Sequence, residues 1–203
     1  TDSATNAVAF EISTTGNSEG NDFDQNKTLS DSTDTVLKTA FRRYEEAVYI
    51  SSDKNSDKDT LSRNCIGLPG KTSKDRSIES AFEFKNNSLL CGGNGQAAQP
   101  IINNVAEVQF DYLEQINNAA GTTIMRRKAA AVTNWRRVQG VEVCMVLYGT
   151  EAIDMPSDSK YLACDGKTEV KFSELTGERK NRMHLLVRST FQLRSQGLLE
   201  AGT

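Results

Sequence analysis

Four cysteines and a single histidine are the residues of this chain best suited to catalysis, metal binding or redox chemistry. The cysteines are Cys65, Cys91, Cys144 and Cys164, and none forms a CxxC pair or lies close to His184 in sequence. Zinc sites usually take two or more ligands from within a few residues, and thiol redox centres use CxxC, so neither is predicted. Four dispersed cysteines instead predict two disulfide bonds and an oxidising compartment, such as the periplasm or the cell exterior.

Three pairings of four cysteines are possible, and the sequence favours the one that closes the two shortest loops. That pairing joins Cys65 to Cys91 and Cys144 to Cys164. In the chain-entropy model, each bond of this kind restricts the unfolded chain by about 3 kcal/mol.

Motifs of common metalloprotease and nucleotide-binding sites are absent from the sequence, namely HExxH, GxGxxG and GxxxxGK[ST]. The Gly-rich run at residues 92–95 lacks the strand-to-helix frame of a phosphate-binding loop, so we interpret it as a flexible turn. His184 lies in an alternating apolar pattern, which indicates a structural histidine. The inventory therefore predicts no catalytic activity, no cofactor and no metal site.

Residues 53–59 carry acidic side chains at alternate positions, as calcium-binding loops do. However, the sixth position is Lys58 instead of glycine, and the twelfth is Asn64 instead of a bidentate glutamate. A solvated loop is the favoured interpretation, and a partner-binding surface is the alternative.

One basic cluster contains an aromatic residue, and it comprises Arg126, Arg127, Lys128, Trp135, Arg136 and Arg137. Basic side chains beside aromatic rings can bind single-stranded nucleic acid. A net charge of −3 and a pI near 5.3 argue against general affinity for nucleic acid or anionic membranes. We therefore interpret the cluster as a solvated face or as a surface for an acidic protein partner.

The composition fits a single domain of residues 1–203 with a modest core, since 37% of the residues are hydrophobic and 7% aromatic. Residues 1–34 are polar and predicted to be irregular, apart from strand character at residues 8–12. No run of about 18 apolar residues indicates a membrane span. Because the chain starts at Thr1 without methionine or a signal peptide, we expect a precursor with an upstream leader or anchor.

Alternating apolar residues predict a mostly antiparallel β fold. Asn86 and Asn87 tolerate the positive φ of a two-residue hairpin turn, so a hairpin is predicted around them. Further strands are predicted at residues 108–112, half-buried; at 138–148, central and buried on both faces; and at 183–193.

Two segments are less clear from their patterns. Residues 34–51 carry apolar side chains at helical spacing, but the start of this segment also fits a strand, and both interpretations stay open. Residues 113–134 are predicted to be a long connection that contains a short helix at 125–132.

Three segments, taken together, resemble the soluble part of type IV pilus minor pilins of the PilW/PilJ family. They are residues 99–112 (QPIINNVAEVQFDY), 135–147 (WRRVQGVEVCMVL) and 183–194, which ends in TFQLR. The segment at residues 59–67, which contains NCIG, adds to the resemblance. The segments occur in the family's order, whereas residues 1–58 carry little of the pattern.

The resemblance implies an α+β pilin-like fold that is mostly β, with antiparallel sheets, long loops, two disulfides and an apolar N-terminal helix upstream of Thr1. It also implies a structural role in a tip complex that primes pilus assembly. The implied partners are other minor pilins (PilV-, PilX-, FimU-, PilI- or PilK-like), a PilC/PilY-type tip adhesin, the major pilin and, through the helix, the inner membrane. The protein would first face the periplasm and later lie at the pilus tip. A J-type minor pseudopilin of type II secretion, or a DNA- or host-binding accessory pilin, is the alternative.

Overall fold

The computed structural model describes residues 29, 31–42, 62–70, 77–119, 121–156 and 158–193. These residues form two four-stranded antiparallel sheets and one small hairpin. The strands of the first sheet, in spatial order, are β1 (Val36–Arg42), β2 (Ser77–Lys85), β3 (Ser88–Gly93) and β4 (Gln96–Asn103). Those of the second are β10 (His184–Gln192), β7 (Val138–Tyr148), β5 (Val105–Asn118) and β6 (Gly121–Arg127). The small hairpin pairs β8 (Lys160–Leu162) with β9 (Glu169–Lys171). The predicted mostly-β antiparallel fold with two disulfides is confirmed.

Two tight turns connect three of the four strands of the first sheet, β2, β3 and β4. Asn86 and Asn87 have φ of 51° and 55°, which confirms the predicted hairpin. A second hairpin turns at Asn94 and Gly95, with φ of 50° and 75°. The interpretation of residues 92–95 as one flexible turn is therefore wrong, because residues 92 and 93 belong to β3 and only two residues form the turn.

The first disulfide fastens the loop of residues 62–70 to this sheet. Cys65 is bonded to Cys91 of β3, with their Cα atoms 6.2 Å apart. The side-chain oxygen of Asn64 accepts hydrogen bonds from the backbone N–H groups of Ile66 and Leu68, at 3.0 and 2.8 Å. The loop is thus closed both by a covalent bond and by an asparagine that caps its own turn.

The second sheet is built around β5, which is fourteen residues long. The predicted connection at residues 113–134 is wrong, since β5 continues to Asn118 and pairs directly with β6. The predicted helix at 125–132 is also wrong, because only Ala129–Ala131 form a 3₁₀ turn. Polar side chains occupy buried positions here, so the alternation of apolar residues ends before the strand does.

The remaining predicted strands are found with small changes at their ends. The strand at 138–148 is confirmed as β7, which lies between β10 and β5, and the last predicted strand is confirmed as β10. The open choice for residues 34–51 is settled as a strand for Val36–Arg42. Residues 8–12, 43–51 and 53–59 lie outside the described residues.

The second sheet has a core on each face. One core lies between the two sheets and includes Leu37 and Leu89 from the first sheet and Phe110 and Val141 from the second. The other lies under residues 149–156 and 158–183, which fold over the opposite face of β7. The disulfide from Cys144 to Cys164, with Cα atoms 5.7 Å apart, fastens this covering segment to β7. Both disulfides match the pairing that the loop lengths favour.

We expect Gly93→Ala to destabilise the fold, because a methyl group at this position would overlap the carbonyl oxygen of Glu79. The backbone of β2 would have to shift, at a cost of about 2–4 kcal/mol in unfolding free energy. Gly70→Ala is the matched control, since an added methyl group there meets no atom within 4 Å. Urea unfolding of the two variants checks the prediction, and equal midpoints would contradict it.

Candidate functional site

An open apolar groove runs between the two sheets, with a cavity volume of about 490 Å³. Its lining is apolar apart from Ser189 and comes from both sheets: Leu37, Phe82, Leu89, Ile101 and Ile102 from the first, and Phe110, Val143, Met145, Val187, Ser189 and Phe191 from the second. Such a surface offers almost no hydrogen-bonding groups, so it suits an apolar protein segment rather than a polar ligand.

Side chains at the rim of this groove are exposed to solvent. Phe191 is 57% exposed, Val187 39% and Ile101 43%, and Leu185 on the same face of β10 is 58% exposed. Contiguous apolar surface of this kind usually marks an interaction site. The groove could not be predicted from the sequence, because the apolar alternation of β10 does not reveal that one face of the strand is uncovered.

The opposite face of the second sheet carries a cluster of charged side chains. The side chain of Asp111 is 3% exposed, and its Oδ1 atom forms an ion pair with Nζ of Lys128 at 2.7 Å. Arg126 bridges Asp111 and Glu142, at 2.5 and 2.8 Å. Arg188 of β10 reaches the same Glu142 at 2.9 Å. These ion pairs therefore link side chains of β10, β7, β5 and β6 in one network that includes the buried carboxylate of Asp111.

The charge cluster fixes the ionisation of Asp111. Burial alone would raise the pKa of this carboxyl, but hydrogen bonds from Lys128, Arg126 and Gln109 outweigh burial and hold the pKa below its usual value. Asp111 is therefore a carboxylate at neutral pH, and its charge is matched within the fold.

Glu114 positions the loop that carries Trp135. Its carboxylate is fully buried and accepts hydrogen bonds from the backbone N–H groups of Thr133 and Asn134, at 3.0 and 2.6 Å. Trp135 then packs edge-on against Tyr112, with ring centroids 4.9 Å apart. The indole is thus part of the packing around the core, and it also lines a shallow hollow beside Asp34.

The predicted basic partner surface is distributed over several environments. Arg126 and Lys128 lie against Asp111, whereas Arg127 lies 3.6 Å from the buried Glu114. Much of this positive charge therefore faces carboxylates of the same chain. Trp135 and Arg137 are half-buried, and the side chain of residue 136 lies outside the description.

His184 lies in an aromatic cluster beneath the covering segment. Its ring stacks on Tyr161, with centroids 4.6 Å apart and an interplanar angle of 6°, and packs against Phe172 and Tyr148. Nδ1 lies 2.9 Å from the carbonyl oxygen of Arg182 and so carries the proton, which leaves Nε2 as the acceptor facing Arg179 at 3.5 Å.

These surroundings favour the neutral form of the His184 ring, as expected for a structural histidine. Burial lowers the pKa of His184, the hydrogen bond to the Arg182 carbonyl opposes that change, and the positive charge of Arg179 lowers the pKa further.

In the described part of the chain, no group of three potential metal ligands lies together, and no helix has the length and apolarity of a bilayer span.

Asp111→Asn should lower the unfolding free energy by about 1–3 kcal/mol. The substitution removes the buried negative charge and so leaves the positive charges of Arg126 and Lys128 without this partner. Glu169→Gln is the control, since its ion pair with Lys160 is exposed on both sides and should contribute less than about 1 kcal/mol. Urea unfolding at pH 7.5 compares the two. An equal loss in both variants would show that the cluster contributes no more than a surface ion pair.

His184 should make the fold sensitive to mild acid. Its folded-state pKa lies below the ordinary value of 6.5, so the unfolded chain takes up the proton first as the pH falls through 6.5, and stability decreases from there downwards. The thermal unfolding midpoint of the wild type should be lower at pH 5 than at pH 7.5. His184→Phe keeps an aromatic ring against Tyr161 but cannot titrate, so its midpoint should fall less. Identical pH profiles would refute this role.

Comparison with known proteins identifies the chain's relatives. A family model described as Type IV Pilus-assembly protein W matches residues 71–195. A solved type IV-like pilin from Thermus thermophilus is similar at 13% identity, with a TM-score of 0.36, over 79% of this chain and 78% of that one. No curated protein matches the sequence. Because the family model spans more than half of its residues, the chain belongs to the PilW family of type IV pilus-assembly proteins.

Proposed function

We propose that the protein is a structural minor pilin, which joins a tip complex that primes type IV pilus assembly and presents a tip adhesin. Membership of the PilW family supports a role in the pilus. The observation that carries the proposal is the apolar groove between the sheets, because an apolar surface of this kind needs an apolar segment to cover it, as the N-terminal helix of a pilin would.

The proposed occupant of the groove is the apolar N-terminal helix that the resemblance implies. The rim residues Val187 and Phe191 are 39% and 57% exposed, so covering the remainder of each contributes roughly half of the 1.5–3 kcal/mol that full burial of such a side chain provides. A helix with one apolar stripe satisfies its backbone internally, so it requires no polar groups from the groove. The same helix would anchor the subunit in the inner membrane before assembly.

The remaining partners follow from this role. They are the other minor pilins, the major pilin and a PilC/PilY-type adhesin, met first at the periplasmic face of the membrane and then at the extracellular tip. The basic residues around Trp135 stay a predicted partner surface, although Arg126 and Lys128 would exchange contacts with Asp111 for contacts with a partner. The role is structural rather than enzymatic.

Deleting the gene should abolish surface pili, and further removal of the retraction motor should restore a few of them, because slow initiation then suffices. The deletion strain should regain pili with the wild-type gene. Val187→Asn/Phe191→Asn should restore fewer pili, since two amides in the groove disfavour an apolar occupant. Ile124→Asn/Met125→Asn is the matched control, because these side chains of β6 are exposed to a similar extent but lie outside the groove.

The outcomes separate the alternatives. Normal piliation in the deletion strain with the motor present would refute the priming role and favour secretion, as for a J-type pseudopilin, or DNA uptake. Equal restoration by both double variants would refute the proposed use of the groove but leave the priming role standing.

A further inference from the structure

The outer edge of β10 offers unpaired backbone groups in a regular pattern. β10 is the first strand of the second sheet, and within the described residues no strand pairs with its outer side. The N–H groups of Gly149 and Leu193 donate to the carbonyl oxygens of Met183 and Gln139, each at 2.9 Å, at the two ends of the β7–β10 ladder.

These two bonds define which backbone groups point outwards. In an antiparallel ladder, every second residue exchanges both hydrogen bonds with its partner. Met183 and Leu193 are such residues. The odd-numbered residues of β10 follow the same pattern, so the backbone N–H and C=O groups of Val187 and Ser189 face β7, opposite Met145 and Val143. The N–H and C=O groups of Leu186, Arg188 and Thr190 therefore face away from the sheet.

Two other outer strands of the four-stranded sheets carry features that discourage a further strand. β4 contains Pro100, which lacks a donor. β1 contains Lys38, whose side chain is 49% exposed. Charged residues and proline are the usual means by which edge strands avoid pairing with other chains.

The edge of β10 lacks this protection. It has no proline, and its arginine, Arg188, is held against the sheet. That guanidinium donates to Glu142 at 2.9 Å and to the carbonyl oxygen of Cys164 at 2.8 Å. On the other face, Leu185 and Phe191 are exposed beside the groove. A strand added here would gain backbone hydrogen bonds and bury apolar side chains at alternate positions.

We propose that β10 is the docking edge for an extended segment of another pilus subunit, one with apolar side chains at alternate positions. This inference rests on the proposed function. A second copy of this chain fits less well, because symmetric pairing about the midpoint of β10 would set the two Arg188 side chains opposite each other. The added strand extends the sheet sideways, so it leaves the face of the groove free for a helix.

Amide hydrogen exchange tests the proposal by comparing residues of β10 whose N–H groups face β7 with residues whose N–H groups face outwards. In the isolated protein, the amides of Val187 and Ser189 should exchange slowly and those of Leu186, Arg188 and Thr190 fast. The comparison sample is the tagged full-length protein purified from membranes together with its bound pilus subunits. There, the three outward amides should slow by at least about tenfold. Unchanged exchange at all three in the complex would overturn the proposal.

Two variants at Thr190 test the same edge in cells. Thr190→Pro removes an outward N–H without removing a bond to β7, whereas Thr190→Val loses the hydroxyl and keeps the N–H. In the deletion strain, Thr190→Val should restore pili fully and Thr190→Pro should restore at most about a tenth as many. Equal restoration would overturn the proposal. If urea unfolding shows that Thr190→Pro is misfolded, the exchange experiment decides.

These results are distinguishable from a failure of the proposed function. Normal pili in the deletion strain would refute the pilus role itself. Absent pili in that strain, with full restoration by both Thr190 variants, would refute only the docking edge.

Discussion

The pairing of β5 with β7 is the constraint on which the rest of the structure depends. Both strands lie inside the second sheet, and each must present a suitable surface to two different layers. On one face, Phe110 lies opposite Val143 and packs towards the first sheet. On the other, Asp111 lies opposite Glu142, so two carboxylates are neighbours on a largely covered face. The arginines and the lysine around them are a requirement of this register, because two adjacent carboxylates, one of them buried, need matching cations.

This requirement also explains why several residues of the predicted basic surface are paired with carboxylates of the same chain. Residues that look like a cationic patch in the sequence lie next to the acidic residues of β5 and β7 in the fold. Sequence position shows the charges of one strand but not the charges of the strand beside it. A charge run is therefore a weak indicator of an interface until its neighbours in the sheet are known.

Where the sequence shows regular alternation, it predicts the fold well. The Asn86–Asn87 hairpin, β7 and β10 follow from turn residues and period-two patterns, and the disulfide pairing agrees with the shortest loops. The second half of β5 could not be predicted, because Glu114 and Gln115 are buried polar residues at strand positions. Their partners lie about twenty residues or more away in sequence, at Thr133 and Gln139, so no local pattern reveals them. The groove was equally hidden, since an uncovered face has the same sequence pattern as a covered one.

The attachment of Leu29 and residues 31–36 has a mechanical consequence. Leu29 is fully buried, the hydroxyl of Tyr112 donates to the carbonyl oxygen of Thr33 at 2.8 Å, and the N–H of Phe110 donates to that of Asp34 at 2.8 Å. The chain thus lies along β5 beyond the end of β6, which pairs with β5 only from Tyr112 onwards, before it continues into β1. Tension applied on the N-terminal side of Leu29 would load the buried Leu29 and these bonds to β5 before it reached β1. A filament subunit that is pulled from this end would share the force across both sheets.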